Sequence, residues 1–331
     1  MFKCCRKGDS PLKLSVLVST RNRAHAIAGC LDSIAASLAY AAPLDAEIIV
    51  VDNGSGDATS AIVKQRAAAT TFPVRLLFEP RVGVSVASNL ALRTAKGELL
   101  AFIDDDCHMS KEYVSQLLQH DANDGDELVL RGGRIELGDP TDLPFTIKTT
   151  PTPLRFNRRM NPAINPIRHH PIIAQLNGCN MTMRRALVER LGPYDERFGP
   201  GAVIPSGADA DYVIRAYLAD ITLEYVPDMT VFHFHGRKQK SVGFKLMRRY
   251  SIGAGALYAK YFFKDPSLCR PVLWDVNAAI KEILSGSNTY LPVVGFSHKH
   301  KAADVVSGAV RYFLTCARLA VTSTLQSPRQ R

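Results

Sequence analysis

Residues 98–106 read Glu-Leu-Leu-Ala-Phe-Ile-Asp-Asp-Asp, an apolar run that stops on three consecutive carboxylates. Five apolar residues in a row suit a strand buried on both faces, as in parallel sheets. Three adjacent carboxylates repel one another unless a positive group lies among them. Alone, an acidic triplet reads equally well as a solvated turn. At the end of a buried strand it reads better as hard oxygen ligands for Mg²⁺ or Mn²⁺, the other positions filled by phosphate oxygens and water.

Working outward, the same kind of strand recurs. Residues 14–19 (LSVLVS) run into Thr20-Arg21-Asn22-Arg23, and 47–51 (EIIVV) stop at Asp52-Asn53-Gly54-Ser55-Gly56. A third strand is expected at 74–78. Helical spacing of apolar residues predicts helices at 24–40, 59–69 and 85–96, the last closed by Gly97. Alternating buried strands and helices imply an α/β fold with a mostly parallel sheet covered on both faces. Ligands of such sheets bind outside the carboxyl ends of the strands. Thr20 with Arg21, Asp52, and Asp104 with Asp106 are therefore expected along one edge.

Past Gly132 the pattern changes. Residues 138–171 are proline-rich and carry Arg155, Arg158, Arg159, Arg168, His169 and His170; they read as a functional loop or a solvated insertion. Helices are expected at 184–191 and 209–219, and strands at 221–226 and 230–234. From 237 the chain turns basic and helical. The expected organisation is a basic tail at 1–11, a catalytic domain at 12–236 and a basic helical region at 237–331.

The 331 residues carry a net charge of +10, with 46% hydrophobic and 22% charged residues, an ordinary folded composition. Seven cysteines, odd in number and without a CxxC pair, suggest neither disulfides nor zinc, and a reducing, cytoplasmic setting. The first residues, MFKCCRKGDSPLK, lack the apolar stretch of a secretory signal. The most apolar long segment, 303–325, is interrupted by Asp304, Arg311 and Arg318, so no membrane-spanning helix is expected. Between 237 and 264, basic residues alternate with Phe244, Tyr250, Tyr258, Tyr261, Phe262 and Phe263. That mixture suits either peripheral contact with an anionic membrane, at the inner face of the cell membrane, or a helix packed on the catalytic domain.

Two further clusters bear on chemistry. Ser206-Gly207-Ala208-Asp209-Ala210-Asp211 precedes a helix. Its aspartates serve as helix-start residues, as a general base, or one as each. His233 and His235 end the last strand, and are read as pointing to opposite faces, so that one at most reaches a given metal.

The segments VLVSTRNR, EIIVVDNGSGD, RVGVSVASNLALRTAKGELLAFIDDDC, NGCNMTMRRALVERLGPYDERFG, GADADYVIRA and VPDMTVFHFHG follow the order found in family 2 glycosyltransferases of the GT-A fold. The chain resembles that family over residues 14–236. The resemblance implies an inverting, metal-dependent transfer from a nucleotide-diphosphate sugar to an acceptor hydroxyl, carbohydrate or lipid-linked, in cell-surface polysaccharide or glycolipid synthesis. By position, it implies that Thr20, Arg21, Asp52, Arg81, Asp104 and Asp105 bind the donor. Asp106, with His233 or His235, would hold the metal, Mn²⁺ or Mg²⁺, and Asp209 would be the catalytic base, with Asp211 as fallback. Two positions depart from the family pattern: Ala208 stands where a glutamate precedes the base, and Ser88 where an arginine precedes Asn89.

Other classes fit less well. No zinc-finger, RRM-type or basic-zipper pattern supports nucleic-acid binding, and no G-x-G-x-x-G follows the first strand, which disfavours a dinucleotide oxidoreductase. A nucleotidyltransferase is the nearest enzymatic rival, but its glycine-rich triphosphate loop is missing after residue 19. The remaining alternative is a non-catalytic relative, suggested by Ala208.

Overall fold

A computed structural model describes residues 12–159, 174, 176–288 and 290–326, with side chains to 319. The tail at 1–11 and residues 160–171 of the proline-rich segment, including Arg168, His169 and His170, lie outside the described residues.

The expected strands form as β1 (Leu14–Thr20), β2 (Ala46–Asp52), β3 (Val74–Phe78) and β4 (Leu99–Asp104). They pair in parallel in the order β3-β2-β1-β4. Successive side chains alternate between two apolar layers: Val16 and Val18 face one, Leu17 the other. Helices α1 (Ile27–Tyr40) and α2 (Thr59–Ala69) cover the first face, and α3 (Val84–Thr94) the second.

Beyond β4 the sheet becomes mixed. Strand β5 (Cys107–Met109) and helix α4 (Tyr113–Asn123) follow, then β6 (Val129–Leu137), β7 (Leu154–Phe156), β8 (Asn180–Arg184), helices α5 (Arg185–Leu191) and α6 (Ala208–Leu218), and β9 (Thr222–His233). The nine strands form one sheet in which β8 runs antiparallel to β4, and β9 lies beside β6, β5 and β7. The two strands expected at 221–226 and 230–234 are one strand. The register slips between Gly133 and Arg134, so residues 227–229 are taken up as a bulge. Part of the proline-rich segment also proves to be sheet. Strand β7 pairs with Leu223–Tyr225 of β9, and Arg155 binds Glu224, at 2.6 Å, and Glu127.

The C-terminal helices α7 (Lys240–Tyr261), α8 (Arg270–Ser285) and α9 (His298–Gln326) pack as a layer in which α7 joins the main apolar core. Ala256, Leu257 and Tyr261 join the apolar cluster containing Tyr212 and Val213 of α6. Gly255 and Gly308 let α7 and α9 touch by their backbones: a Cβ at Gly255 would lie 1.9 Å from the Val305 carbonyl oxygen.

A buried ion cluster fixes α7 to α6. Asp211 is fully buried; it accepts from Lys260 (2.5 Å), Tyr261 (2.7 Å) and Arg215 (3.0 Å), and Lys260 also binds Asp195 at 2.7 Å. Removing one partner of such a cluster strands the other charges in low dielectric. Lys260→Met should therefore cost on the order of 3 kcal/mol of unfolding free energy, read by urea denaturation. A change below about 0.5 kcal/mol, the scale of an ordinary surface substitution, would mean that this cluster does not dock α7.

Candidate active site

Register alone brings the polar strand ends together. Thr20 pairs with Asp52, and Ser19 with Asp104, at the carboxyl ends of three adjacent parallel strands. Turns behind this edge are tied to one another. Asn22 accepts from Gly56 N–H, its own N–H donates to Ser55 Oγ (2.9 Å), and Asp52 accepts from Ser55 N–H and from Ser60 Oγ. Asn53 accepts from Gly83 N–H and donates to the carbonyls of Glu79 and Arg81. Arg81 thus stands beside the Asp52 turn, its guanidinium held by Glu79 at 3.0 Å and Glu196 at 3.4 Å. Arg21 lies exposed on the same edge, and its N–H donates to Asp105.

The three carboxylates differ in their surroundings. Arg23 bridges two of them, with Nε 3.1 Å from Asp105 and Nη2 3.2 Å from Asp106. Asp106 is also 3.2 Å from His233 Nε2. Burial works to raise the Asp106 pKa, but the bond and charge of His233 and then Arg23 outweigh it and hold it low. Asp105, with less compensation, is pushed by burial up to about 6. Asp104 keeps contact with solvent, yet the protein packed around it, and next the charge of Asp106, push it up to about 7.

Strand β5 brings the histidine at the end of β9 against the triplet. It follows the triplet directly and pairs Cys107 with His233, and Phe234 N–H donates to the Asp106 carbonyl at 2.8 Å. The expectation that His233 and His235 point to opposite faces is wrong: residues two apart on an extended chain share a face, and the two rings lie 5.0 Å apart. They nevertheless differ in use. His235 accepts from Arg237 N–H (3.0 Å) and faces Asp142 (3.3 Å). It does not join the Asp104–Asp106–His233 group, whose ligand atoms lie within 4.8 Å of one another.

That group fits Mn²⁺ or Mg²⁺: two carboxylates and one imidazole nitrogen, with His233 Nδ1 left buried without a hydrogen-bond partner among the described residues. A second group, Cys107, Cys179 and His233, shares the same imidazole. Its thiols are poor competitors for a hard cation. Burial pushes Cys107 well up; in Cys179 the bond with Cys107 lowers the pKa, but burial together with the charges of Asp104, Asp106 and Asp209 raises it on balance, so both stay neutral.

Across from the triplet, β8 starts opposite Ile103, so residues 178–179 sit against the end of β4. Gly178 N–H donates to Asp209 Oδ2 at 2.9 Å, and Ala210 N–H to Oδ1 at 2.9 Å. Asp209 lies in the first turn of α6, half-buried, and close enough for its charge to be felt at Asp104. Asp211, the fallback base, is excluded by its commitment to Lys260, Tyr261 and Arg215. Ala208 is packed against the Gly199 turn, where a Cβ at 199 would stand 3.3 Å from its own. Arg23 is the participant the sequence did not single out; the repulsion within the triplet was the signal, since it demanded a cation nearby.

Residues 15–192, more than half of the chain, match the model of Glycosyl transferase family 2. The chain belongs to that family. It is similar to Glycosyltransferase AglE of Haloferax volcanii, 26% identical over 245 residues that cover 74% of this chain and 73% of the relative. It is also similar to Succinoglycan biosynthesis protein ExoM of Rhizobium meliloti, 25% identical over 207 residues, 62% of each chain. Among solved structures it shares its fold with mannosyltransferase PcManGT from Pyrobaculum calidifontis in complex with GDP-Man and Mn²⁺, at TM-score 0.57 and 17% identity, covering 92% of this chain and 88% of that one. The fold also matches S. aureus TarS 1-349 in complex with UDP, at TM-score 0.52 and 18% identity, covering 92% of both chains. This family 2 member is therefore an enzyme of glycosyl transfer with a GT-A type α/β fold.

Arg23 holds apart charges that burial would otherwise neutralise, and this gives a signed pH dependence. Arg23→Met should lower stability by about 1–3 kcal/mol at pH 7.5, a buried-pair cost discounted for the partial exposure of Arg23. Asp105, already raised to about 6, takes up a proton as pH falls. The gap from wild type should therefore narrow below pH 6. Denaturation at pH 7.5 and 5.5 checks this, and a gap that widens at pH 5.5 would contradict it.

Proposed function

We propose that this family 2 glycosyltransferase transfers a sugar, with inversion, from a nucleoside diphosphate donor to an acceptor hydroxyl in polysaccharide or glycolipid synthesis. The observation that carries the proposal is the juxtaposition at one sheet edge of the Asp104–Asp106–His233 group and Asp209, joined through Gly178. Supporting it, relatives bear glycosyltransferase and succinoglycan biosynthesis names, and fold neighbours are complexes with GDP-Man and Mn²⁺ and with UDP.

In the proposed reaction, Thr20, Asp52 and Arg81 line the nucleotide edge, with Arg21 exposed beside them. Asp104 and Asp105 meet the ribose and diphosphate. Asp106 and His233, with Asp104, would hold Mn²⁺ or Mg²⁺, which supplies Lewis-acid stabilisation of the charge on the departing diphosphate. Asp209 takes the proton of the acceptor hydroxyl as that oxygen bonds to the anomeric carbon, while the bond to the diphosphate oxygen breaks on the opposite face. Two backbone N–H donors fix the orientation of the Asp209 carboxylate and leave lone pairs free to receive the proton. Ala208 contributes no charge, so the base works without the neighbouring carboxylate of the usual family pattern.

Asp209→Asn removes proton acceptance and keeps the shape. Turnover should fall by about 10²–10⁴, measured as release of nucleoside diphosphate in the presence of acceptor, with donor affinity little changed. Turnover near wild type would show that the base is another group; a matched loss of donor affinity would move Asp209 to donor binding.

A further inference from the structure

Helix α8 is inside out. Its two acids are buried: Asp275 accepts from Lys301 of α9 at 2.8 Å, and Glu282 accepts from the Lys299 N–H at 3.3 Å. Its large apolar side chains face the other way. Leu273 is 70% exposed, Ile283 66% and Leu284 82%, and Trp274, Val276 and Ile280 are exposed with them. Spacing 273, 276, 280 and 283 with 284 makes one stripe along the helix. Helix α9, packed on α8, has a second stripe in Val306, Val310, Phe313 and Leu314, all exposed. Apolar surface on this scale on a soluble chain marks a binding face.

Two occupants suit it, a second copy of the chain or a lipid surface, and charge separates them. Between residues 266 and 319 the acids are Asp275, Glu282 and Asp304, and all are buried. Arg270, Lys281, Lys299 and Arg311 are exposed, and helical spacing puts Arg270 and Lys281 along one border of the α8 stripe. In a twofold pair the patch meets itself, so bases would face bases with no exposed acid to receive them. An anionic bilayer offers acyl chains to the stripe and phosphates to its border. No helix among the described residues is long and apolar enough to cross a membrane, so the contact lies in the interface.

We propose that α8, together with the exposed stripe of α9, seats this enzyme on an anionic lipid bilayer. The surface differs from the basic, aromatic segment at 237–264. There the apolar side of α7 is buried against the catalytic core, Lys260 is taken by Asp195 and Asp211, and Arg248 by Asp304 at 2.9 Å. The proposal is independent of the donor and base assignments.

Flotation of the full chain with vesicles tests it without substrate. The wild type should bind vesicles of phosphatidylcholine mixed with phosphatidylglycerol far better than phosphatidylcholine alone. Ile280→Glu with Leu284→Glu should lower binding at least about tenfold, given the apolar area lost, with an unchanged melting temperature. Arg270→Glu with Lys281→Glu should lower it by a similar factor, and high salt should mimic that loss. If the double glutamate variant melts early, Leu284→Ser at the most exposed position replaces it and should still reduce binding. No binding of wild type to anionic vesicles, or equal binding by the variants, would overturn the proposal. So would a wild-type dimer in light scattering that the glutamates split while vesicle binding stays absent; the face would then be a contact between copies.

Discussion

Three carboxylates at the end of one buried strand are the constraint on which the rest of this structure depends. Left to themselves they would take up protons or swing out to water. Arg23 reaches two of them, Asp105 and Asp106, and His233 also pairs with Asp106. The consequence is graded: Asp106 is held low, Asp105 is pushed up to about 6 and Asp104 to about 7. A site with one committed anion and two carboxyls titrating near neutral pH would suit a divalent cation, which would favour the charged form of all three.

Bringing the partners to that point determines the topology beyond β4. Parallel pairing places Thr20, Asp52 and Asp104 in register, but later elements must also bring their residues to that edge. The antiparallel β8 does so for residues 178–179, and the short β5 does so for His233. Helix α6 then presents Asp209 to Gly178, and it is held from behind by the Asp211–Lys260–Asp195 cluster. The first helix of the C-terminal region is in this way a buttress of the site, the packed one of the two readings that its basic and aromatic residues left open.

What was legible in the sequence was what depends on local pattern. Continuous apolar runs and helices with period 3.6 placed β1 to β4 and α1 to α3, and strand ends implied the ligand edge. What was not legible depends on distant partners. The burial of Asp211 needs Lys260, 49 residues away, and nothing around 211 announces it. Strand β7 lies in a proline-rich stretch and gains its pairing only from β9. The two histidines were misread through geometry rather than information, since i and i+2 share a face in any strand. Helix α8 has ordinary amphipathic spacing; only its contacts reveal that the polar side is the inner one.

The central claim is that the Asp104–Asp106–His233 edge binds a nucleotide-sugar through a divalent cation. Thermal melts of the full chain against a panel of nucleoside diphosphate sugars, each with Mn²⁺ and with chelator, test it most directly. A ligand at 100 times its dissociation constant stabilises the folded state by about 2.7 kcal/mol. The account predicts a rise of several degrees for one donor, present with Mn²⁺ and absent with chelator. No rise for any donor with Mn²⁺, or an equal rise without metal, would contradict it.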